Sequence, residues 1–196
     1  MKKIIFDLSE VLLTGFIGVD EQISRILDIK RSDIFSIIYN NDFNILMEGK
    51  ISEIEFWNRV IRIGGWNISV DLLSNITRNN FKEIAGVRDL IKKLKKKYQI
   101  GLLSNHSREW VNYCENKYNY HYLFDVILYS FEVGLRKPQV EIFKLLLDKF
   151  SAKVDECIFI DDNKDNILSA QKMGFQSFLF KTPGKLAKDL SMFKII

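Results

Sequence analysis

Five short apolar runs constrain this chain more than any other feature: Ile4-Ile5-Phe6, Ile100-Gly101-Leu102-Leu103, Val126-Ile127-Leu128-Tyr129, Cys157-Ile158-Phe159-Ile160 and Ser177-Phe178-Leu179-Phe180. None alternates strictly with polar residues, which is the pattern of strands covered on both faces. From the second run onward helical patterns fill the gaps, over residues 87–97, 107–118, 139–150 and 164–173, with Gly174 placed to end the last. Strands alternating with helices in this way predict an α/β fold, a doubly wound, Rossmann-like parallel sheet with helices on both faces. A chain of 196 residues at 47% hydrophobic content can bury such a core without staples.

The first interval breaks the rhythm. Between Ser9 and Val87 no buried strand is evident, and helical patterns run over residues 20–27, 32–39, 52–63 and 69–78. Within the third, Ile54, Trp57 and Ile61 recur at helical spacing, and Ser52 with Glu55 reads as a capping box. We expect a small all-helical cap domain, residues 15–85, inserted after the first strand into a core domain of residues 1–14 and 86–196. Its aromatics (Phe35, Tyr39, Phe56, Trp57, Trp66) read mainly as its own core, with one or two free to line a ligand pocket.

Charge and cysteine usage narrow the setting. The net charge of +4 would help capture a small anion without calling for nucleic acid. The basic run Lys92 to Lys97 reads as the solvated end of a helix, where cations suit the macrodipole. Cys114 and Cys157 lie far apart with no CxxC pattern, so a reducing compartment fits. The apolar stretch at the N-terminus is too short for a signal peptide, and no long uncharged run follows. A cytoplasmic protein without membrane or nucleic-acid partners is the expectation.

Four polar signals sit where apolar runs meet turns: Asp7-Leu8-Ser9, Ser104-Asn105, Arg136-Lys137-Pro138 and Asp161-Asp162. In open parallel sheets ligands bind beyond the carboxyl ends of the strands, so these signals fall on one rim. Three carboxylates, a hydroxyl and a lysine there can gather around one phosphoryl group and one divalent cation. Each has a plainer reading when taken alone. Asp7 would be a turn residue, Ser104 an N-cap for the helix near Ser107, Lys137 a surface lysine, and Asp161-Asp162 a polar turn. Their order and complementary charge favour phosphate-ester chemistry. A response-regulator receiver would place its acidic pair after the first strand and its phosphoacceptor later, the reverse of the order here.

The chain resembles the haloacid-dehalogenase-like hydrolases, in the subgroup whose helical cap lies between the first and second motifs. The likeness runs from Ile4 to about Phe180 and includes Gly49-Lys50-Ile51-Ser52, Gly86-Val87 and Phe131 to Pro138. It implies that Asp7 is the nucleophile of a phosphatase, passing through an aspartyl-phosphate. It implies that Ser104, Asn105 and Lys137 hold the phosphoryl oxygens, Lys137 also balancing charge during catalysis. It further implies Mg²⁺ held by Asp7, Asp162 and the backbone carbonyl of Ser9, with Asp161 outside the direct ligands, and Asn166 as a recurring partner on the next helix. Small phosphorylated metabolites such as sugar phosphates are the implied substrates.

Ser9 departs from the pattern. Phosphatases of this family usually carry a second Asp there as general acid and base, and a serine hydroxyl cannot serve near neutral pH. Glu10 is the nearest substitute, but side chains of adjacent extended residues diverge, so rescue is not expected. The departure leaves a non-catalytic, metal- and phosphate-binding relative as the alternative. Dehalogenation of small halo-acids needs no metal, and the Asp161-Asp162 pair argues against it. His106, just after Ser104, reads as a capping or surface residue with an outside prospect of touching substrate.

Overall fold

The computed structural model describes residues 2–196. Five strands, β1 (Lys3–Phe6), β2 (Gln99–Ser104), β3 (Val126–Tyr129), β4 (Cys157–Asp161) and β5 (Gln176–Leu179), form one sheet in the order β3-β2-β1-β4-β5. Every neighbouring pair is parallel. Helices α1 (Val19–Leu27), α2 (Arg31–Ile38), α3 (Asn41–Met47), α4 (Glu53–Gly64) and α5 (Val70–Asn80) fill the insertion after β1, and α6 (Val87–Lys95) leads into β2. Then come α7 (Arg108–Tyr118), the single turn α8 (Ser130–Val133), α9 (Val140–Phe150), α10 (Lys164–Met173) and α11 (Pro183–Met192).

The strand runs lack polar alternation because both faces are covered. Ile4, Phe6, Ile100, Leu102, Ile158 and Ile160 pack with Val87 and Ile91 of α6, Trp110 of α7 and Leu186 of α11. Ile5, Leu103 and Phe159, on the other face, pack with Phe143 and Leu146 of α9 and Ala170 of α10. The insertion shares the first of these clusters, since Phe16, Phe56, Trp57 and Leu73 belong to it. At its base the chain leaves and returns side by side: Thr14 N–H donates to the Lys82 carbonyl at 2.7 Å and Ile84 N–H to the Leu12 carbonyl at 2.9 Å. Farther out, Ser130 Oγ donates to the Met47 carbonyl at 2.5 Å, tying the end of α3 to the start of α8.

Several local expectations are corrected. Ile54 is 63% exposed, and α4 instead buries Phe56, Trp57 and Val60. Only half the capping box forms: Ser52 Oγ accepts from Glu55 N–H at 3.1 Å, but the Glu55 carboxylate turns forward to Arg59 at 2.5 Å. Phe35 is exposed rather than core. The helix expected over residues 87–97 ends at Lys95. Three helices went unforeseen, α3, the single turn α8 and α11, the last opened by Thr182 Oγ1 accepting from Lys185 N–H at 3.2 Å with Pro183 in the first turn. Both cysteines are buried and unpaired, and burial pushes the Cys114 thiol up to about 12 and that of Cys157 up to about 11, so they act as inert packing. No helix among the described residues is long and apolar enough to cross a membrane.

Gly101 explains the one gap in the second strand's apolar run. A Cβ built there would lie 2.5 Å from the Phe150 ring and 3.3 Å from Ile5 Cγ1. Gly101→Ala should therefore overpack the sheet against α9 and cost about 1–3 kcal/mol. A thermal melt should record a drop of several degrees, partly recovered by adding Phe150→Leu. An unchanged melting temperature would refute this account of the glycine.

Candidate active site

From the middle of the parallel sheet, β1, β2 and β3 follow one another toward one edge, and β4 and β5 follow toward the other. The order reverses between β1 and β4, so a crevice opens beyond their carboxyl ends. Asp7 follows β1 directly, and Asp161 closes β4 with Asp162 next. Asp7 is fixed there by its N–H, which donates to the Ile160 carbonyl at 2.9 Å across the junction. One oxygen from each of the three carboxylates lies within 4.8 Å of the others.

Lys137 reaches this cluster from the loop after α8. It is 2% exposed, an unusual burial for lysine. Its ammonium donates to Asp161 Oδ2 at 2.6 Å and to the Leu103 carbonyl at 2.8 Å, and forms an ion pair with Asp7 Oδ1 at 2.9 Å. Burial works against its charge, but Asp161 and Asp7 outweigh that and hold it protonated above the ordinary lysine range. Asn105 secures the loop, its Oδ1 accepting from Lys137 N–H at 2.8 Å and its Nδ2 donating to the Lys137 carbonyl at 2.9 Å. The expected phosphate-side residue Asn105 thus uses its Oδ1 and one Nδ2 proton on Lys137.

Asp161 is fully engaged. Besides Lys137, its Oδ1 accepts from Asn163 N–H at 2.8 Å and from Asn166 Nδ2 at 3.0 Å. Asp162 lines the crevice. Burial and then the neighbouring Asp161 charge push its carboxyl up to about 6. Asp7 is pushed up to about 7, by burial first, with Lys137 opposing and Asp161 and Asp162 reinforcing. Three carboxylates against one ammonium leave surplus negative charge on oxygen donors alone. That set fits a hard, oxygen-seeking divalent cation such as Mg²⁺.

Ser104 caps nothing, contrary to its plainer reading. Ser107 is the N-cap of α7, its Oγ accepting from Trp110 N–H at 3.4 Å. The Ser104 hydroxyl is buried with no hydrogen-bond partner among the described residues. A buried hydroxyl without a partner is costly, and this one sits beside Leu103, whose carbonyl Lys137 holds. His106 is buried, not a surface residue. Its Nδ1 accepts from Ser107 N–H at 3.2 Å, and burial lowers its pKa to about 4, so the ring is neutral.

Ser9 and Glu10 line the same crevice. Glu10 is not extended: its φ is 56°, in the left-handed region. Its Oε1 accepts from Gly15 N–H at 2.7 Å. A Cβ built on Gly15 would lie 3.1 Å from that oxygen and 3.2 Å from Ser9 Oγ. The two side chains therefore converge on one point, which corrects the expectation that they diverge.

Beyond the polar floor the crevice opens into a cavity of about 400 Å³ walled by Phe16, Tyr39, Phe43, Phe81 and Trp110. Of the aromatics named from sequence only Tyr39 lines it, while Phe56 and Trp57 are core. Phe43 lies on the unforeseen α3. Trp110 carried a readable signal, as the first large aromatic on the helix leaving the Ser104 strand.

Residues 19–180 match the family model described as haloacid dehalogenase-like hydrolase, and the chain belongs to that family. The matched span begins downstream of Asp7 and Ser9, whose placement rests on the geometry above. Over 69 residues the chain is 39% identical to drimenol cyclase of Aspergillus calidoustus, covering 35% of this chain and 13% of that protein. It is 25% identical over 191 residues to D-ribitol-5-phosphate phosphatase of Bacteroides thetaiotaomicron, covering 91% of each. A crystal structure of a family enzyme from Bacteroides thetaiotaomicron, complexed with magnesium and inorganic phosphate, superposes with a TM-score of 0.77 at 25% identity. That match covers 93% of this chain and 95% of the other.

Proposed function

We propose that this protein is a Mg²⁺-dependent phosphatase of small phosphorylated metabolites, with residues 15–85 as a cap over a core of residues 1–14 and 86–196. The observation that carries the reading is the buried Lys137 ammonium clasped by Asp7 and Asp161, with the unpartnered Ser104 hydroxyl at the end of the adjacent strand β2. Cation and nucleophile meet at the strand ends, with an open donor on the neighbouring strand, as an incoming phosphoryl group requires. The phosphatase and the magnesium- and phosphate-bound enzyme to which the chain is similar support the same chemistry.

In this mechanism an Asp7 oxygen attacks phosphorus, the new O–P bond forming as the bond to the alcohol oxygen breaks. Ser104 Oγ and the main chain around Asn105 donate to the peripheral phosphoryl oxygens, and Lys137 offsets their charge. Water then cleaves the aspartyl-phosphate and restores the Asp7 carboxylate. Asp7, Asp162 and the Ser9 carbonyl would hold Mg²⁺, with Asp161 bracing Lys137 and Asn166 rather than ligating. Mg²⁺ would supply charge neutralisation and orientation of the phosphate. Because Ser9 offers no acid, the departing alcohol takes its proton from water, which makes turnover slow for poor leaving groups.

Phosphate release from a panel of esters, with Mg²⁺ and with chelator, tests the activity. A second measurement tests the metal site by itself. The Asp7 and Asp162 values lie above the ordinary carboxylate range, so the metal-free folded protein holds more protons than the unfolded chain between pH about 4 and about 7. Raising pH through that window strips those protons, costs the metal-free protein stability, and frees the oxygens for a cation. Thermal stabilisation by Mg²⁺ should therefore be small at pH about 5, grow through about 6 to 7, and level off by about 8. A gain independent of pH would place the metal elsewhere.

A further inference from the structure

The cavity above the carboxylates is built for a particular kind of alcohol. Trp110 stands at its centre, with Phe16 stacked on it at 5.0 Å and 21° and His106 edge-on at 5.8 Å. Phe81 and Phe43 close the box at 5.9 and 6.4 Å. These rings come from four separate stretches of chain, so the box exists only in the folded protein. At the cavity lip Ile17 is 64% exposed, an apolar threshold rather than a polar one.

Three of the polar side chains nearby are partly engaged, while Ser9, Asn44, Asn163 and Asp165 also line the cavity. Asn105 spends both ends of its amide on the Lys137 backbone. Arg136 Nε donates to Glu48 at 3.2 Å, and Glu10 accepts from Gly15 N–H at 2.7 Å. A polyol seated against the aromatic walls would bury hydroxyls on ring faces that offer no partner, which is unfavourable. Two donors belong to the rings themselves. The Trp110 indole N–H is buried with no acceptor among the described residues. His106 accepts at Nδ1, so its neutral ring carries the proton on Nε2 and can only donate there.

Resting on the phosphatase reading above, we propose that the phosphate ester cleaved at Asp7 carries a flat, mainly apolar ring system with an acceptor at its edge, received by Trp110, Phe16, Phe43 and Phe81. Offset stacking on such walls is geometrically specific in a way that an alkyl chain cannot use. The ring is the leaving alcohol's body, and the phosphate reaches down to Lys137.

The test uses primary alkyl esters, so that leaving-group chemistry is shared: 2-(1-naphthyl)ethyl phosphate, hexyl phosphate, glycerol 3-phosphate and ribose 5-phosphate, each with Mg²⁺. We expect kcat/KM for the naphthylethyl ester to exceed that of both polyol esters by about tenfold or more, and that of the hexyl ester by a smaller factor. Phe43→Ala and Trp110→Phe should each reduce the naphthylethyl preference. Polyol esters preferred over naphthylethyl would overturn the proposal and leave the phosphatase standing. Hexyl equal to naphthylethyl would overturn the ring and its flatness. Binding of the free alcohols, followed by quenching of tryptophan fluorescence, separates the two readings. Quenching by 2-(1-naphthyl)ethanol without phosphate release from any ester would sink the hydrolase and keep the pocket. Absence of quenching by that alcohol would sink the pocket whatever the turnover.

Discussion

Asp7→Asn should reduce phosphate release to background, a loss on the order of 10⁴ or more in kcat, as expected when an essential nucleophile is removed. The substitution is close to isosteric. Asp7 Oδ1 accepts from Leu8 N–H at 2.7 Å and lies 2.9 Å from the Lys137 ammonium, and an asparagine carbonyl can keep both contacts. The amide nitrogen cannot attack phosphorus. Rapid acid quench of the wild type on a good substrate should reveal protein heavier by one phosphoryl group, and the variant should show none. Stability should move the other way. Asp7 is held up to about 7 chiefly by burial, with Asp161 and Asp162 adding repulsion. Removing its charge relieves the metal-free protein at neutral pH while leaving Lys137 paired with Asp161 at 2.6 Å. The metal-free variant should melt no lower than wild type and gain less from Mg²⁺. Retention of more than about a tenth of the wild-type rate would assign the nucleophile to another group.

What could be read from the chain, and what could not, follows from the range of the interactions involved. The five strands were legible because strands buried on both faces leave continuous apolar runs, and the rim residues were legible because they sit where those runs stop. Asp7, Lys137 and Asp161 do meet, as their charges and positions suggested. The Ser104 hydroxyl, at the end of the adjacent strand β2, is buried without a partner among the described residues. Short helices were lost for a physical reason. Helix α3 has seven residues, too few for periodicity to declare itself. Helix α11 did carry its start signal in Thr182-Pro183, but its apolar face is only Leu186 and Leu190. On α4, apolar residues cover too much of the helix for spacing alone to say that Phe56 goes inward and Ile54 outward. The aromatic box was illegible because Phe16, Phe43, Phe81 and Trp110 are brought together only by tertiary packing. Glu10 misled through its backbone: a left-handed φ at a glutamate is uncommon, and residue identity gave no reason to expect it.

That backbone turn bears on the second large effect. Ser9→Asp should raise turnover on alkyl phosphates by about 10²–10⁴, the usual worth of general acid–base help. Esters of nitrophenol should gain little, because their leaving groups need no proton. The new carboxyl would enter where Ser9 Oγ now lies, close to the Glu10 carboxylate that accepts from Gly15 N–H. Asp162 lines the same crevice. Neighbouring negative charge favours the protonated form of a carboxyl, which suits an acid that must hand its proton to an alkoxide near neutral pH. Cation binding should survive, because the contact proposed at this position is the main-chain carbonyl, which any residue supplies. Room is the opposing factor: a Cβ on Gly15 would already lie 2.9 Å from Ser9 Cβ, so the longer side chain must turn toward the cavity rather than toward Gly15. Turning that way aims it at the departing oxygen. If the variant gains nothing on alkyl phosphates while Mg²⁺ still raises its melting temperature, then proton transfer is not what limits this enzyme. The missing acid would then have to be supplied from elsewhere in the crevice, and the converging Glu10 carboxylate would become the first group to replace.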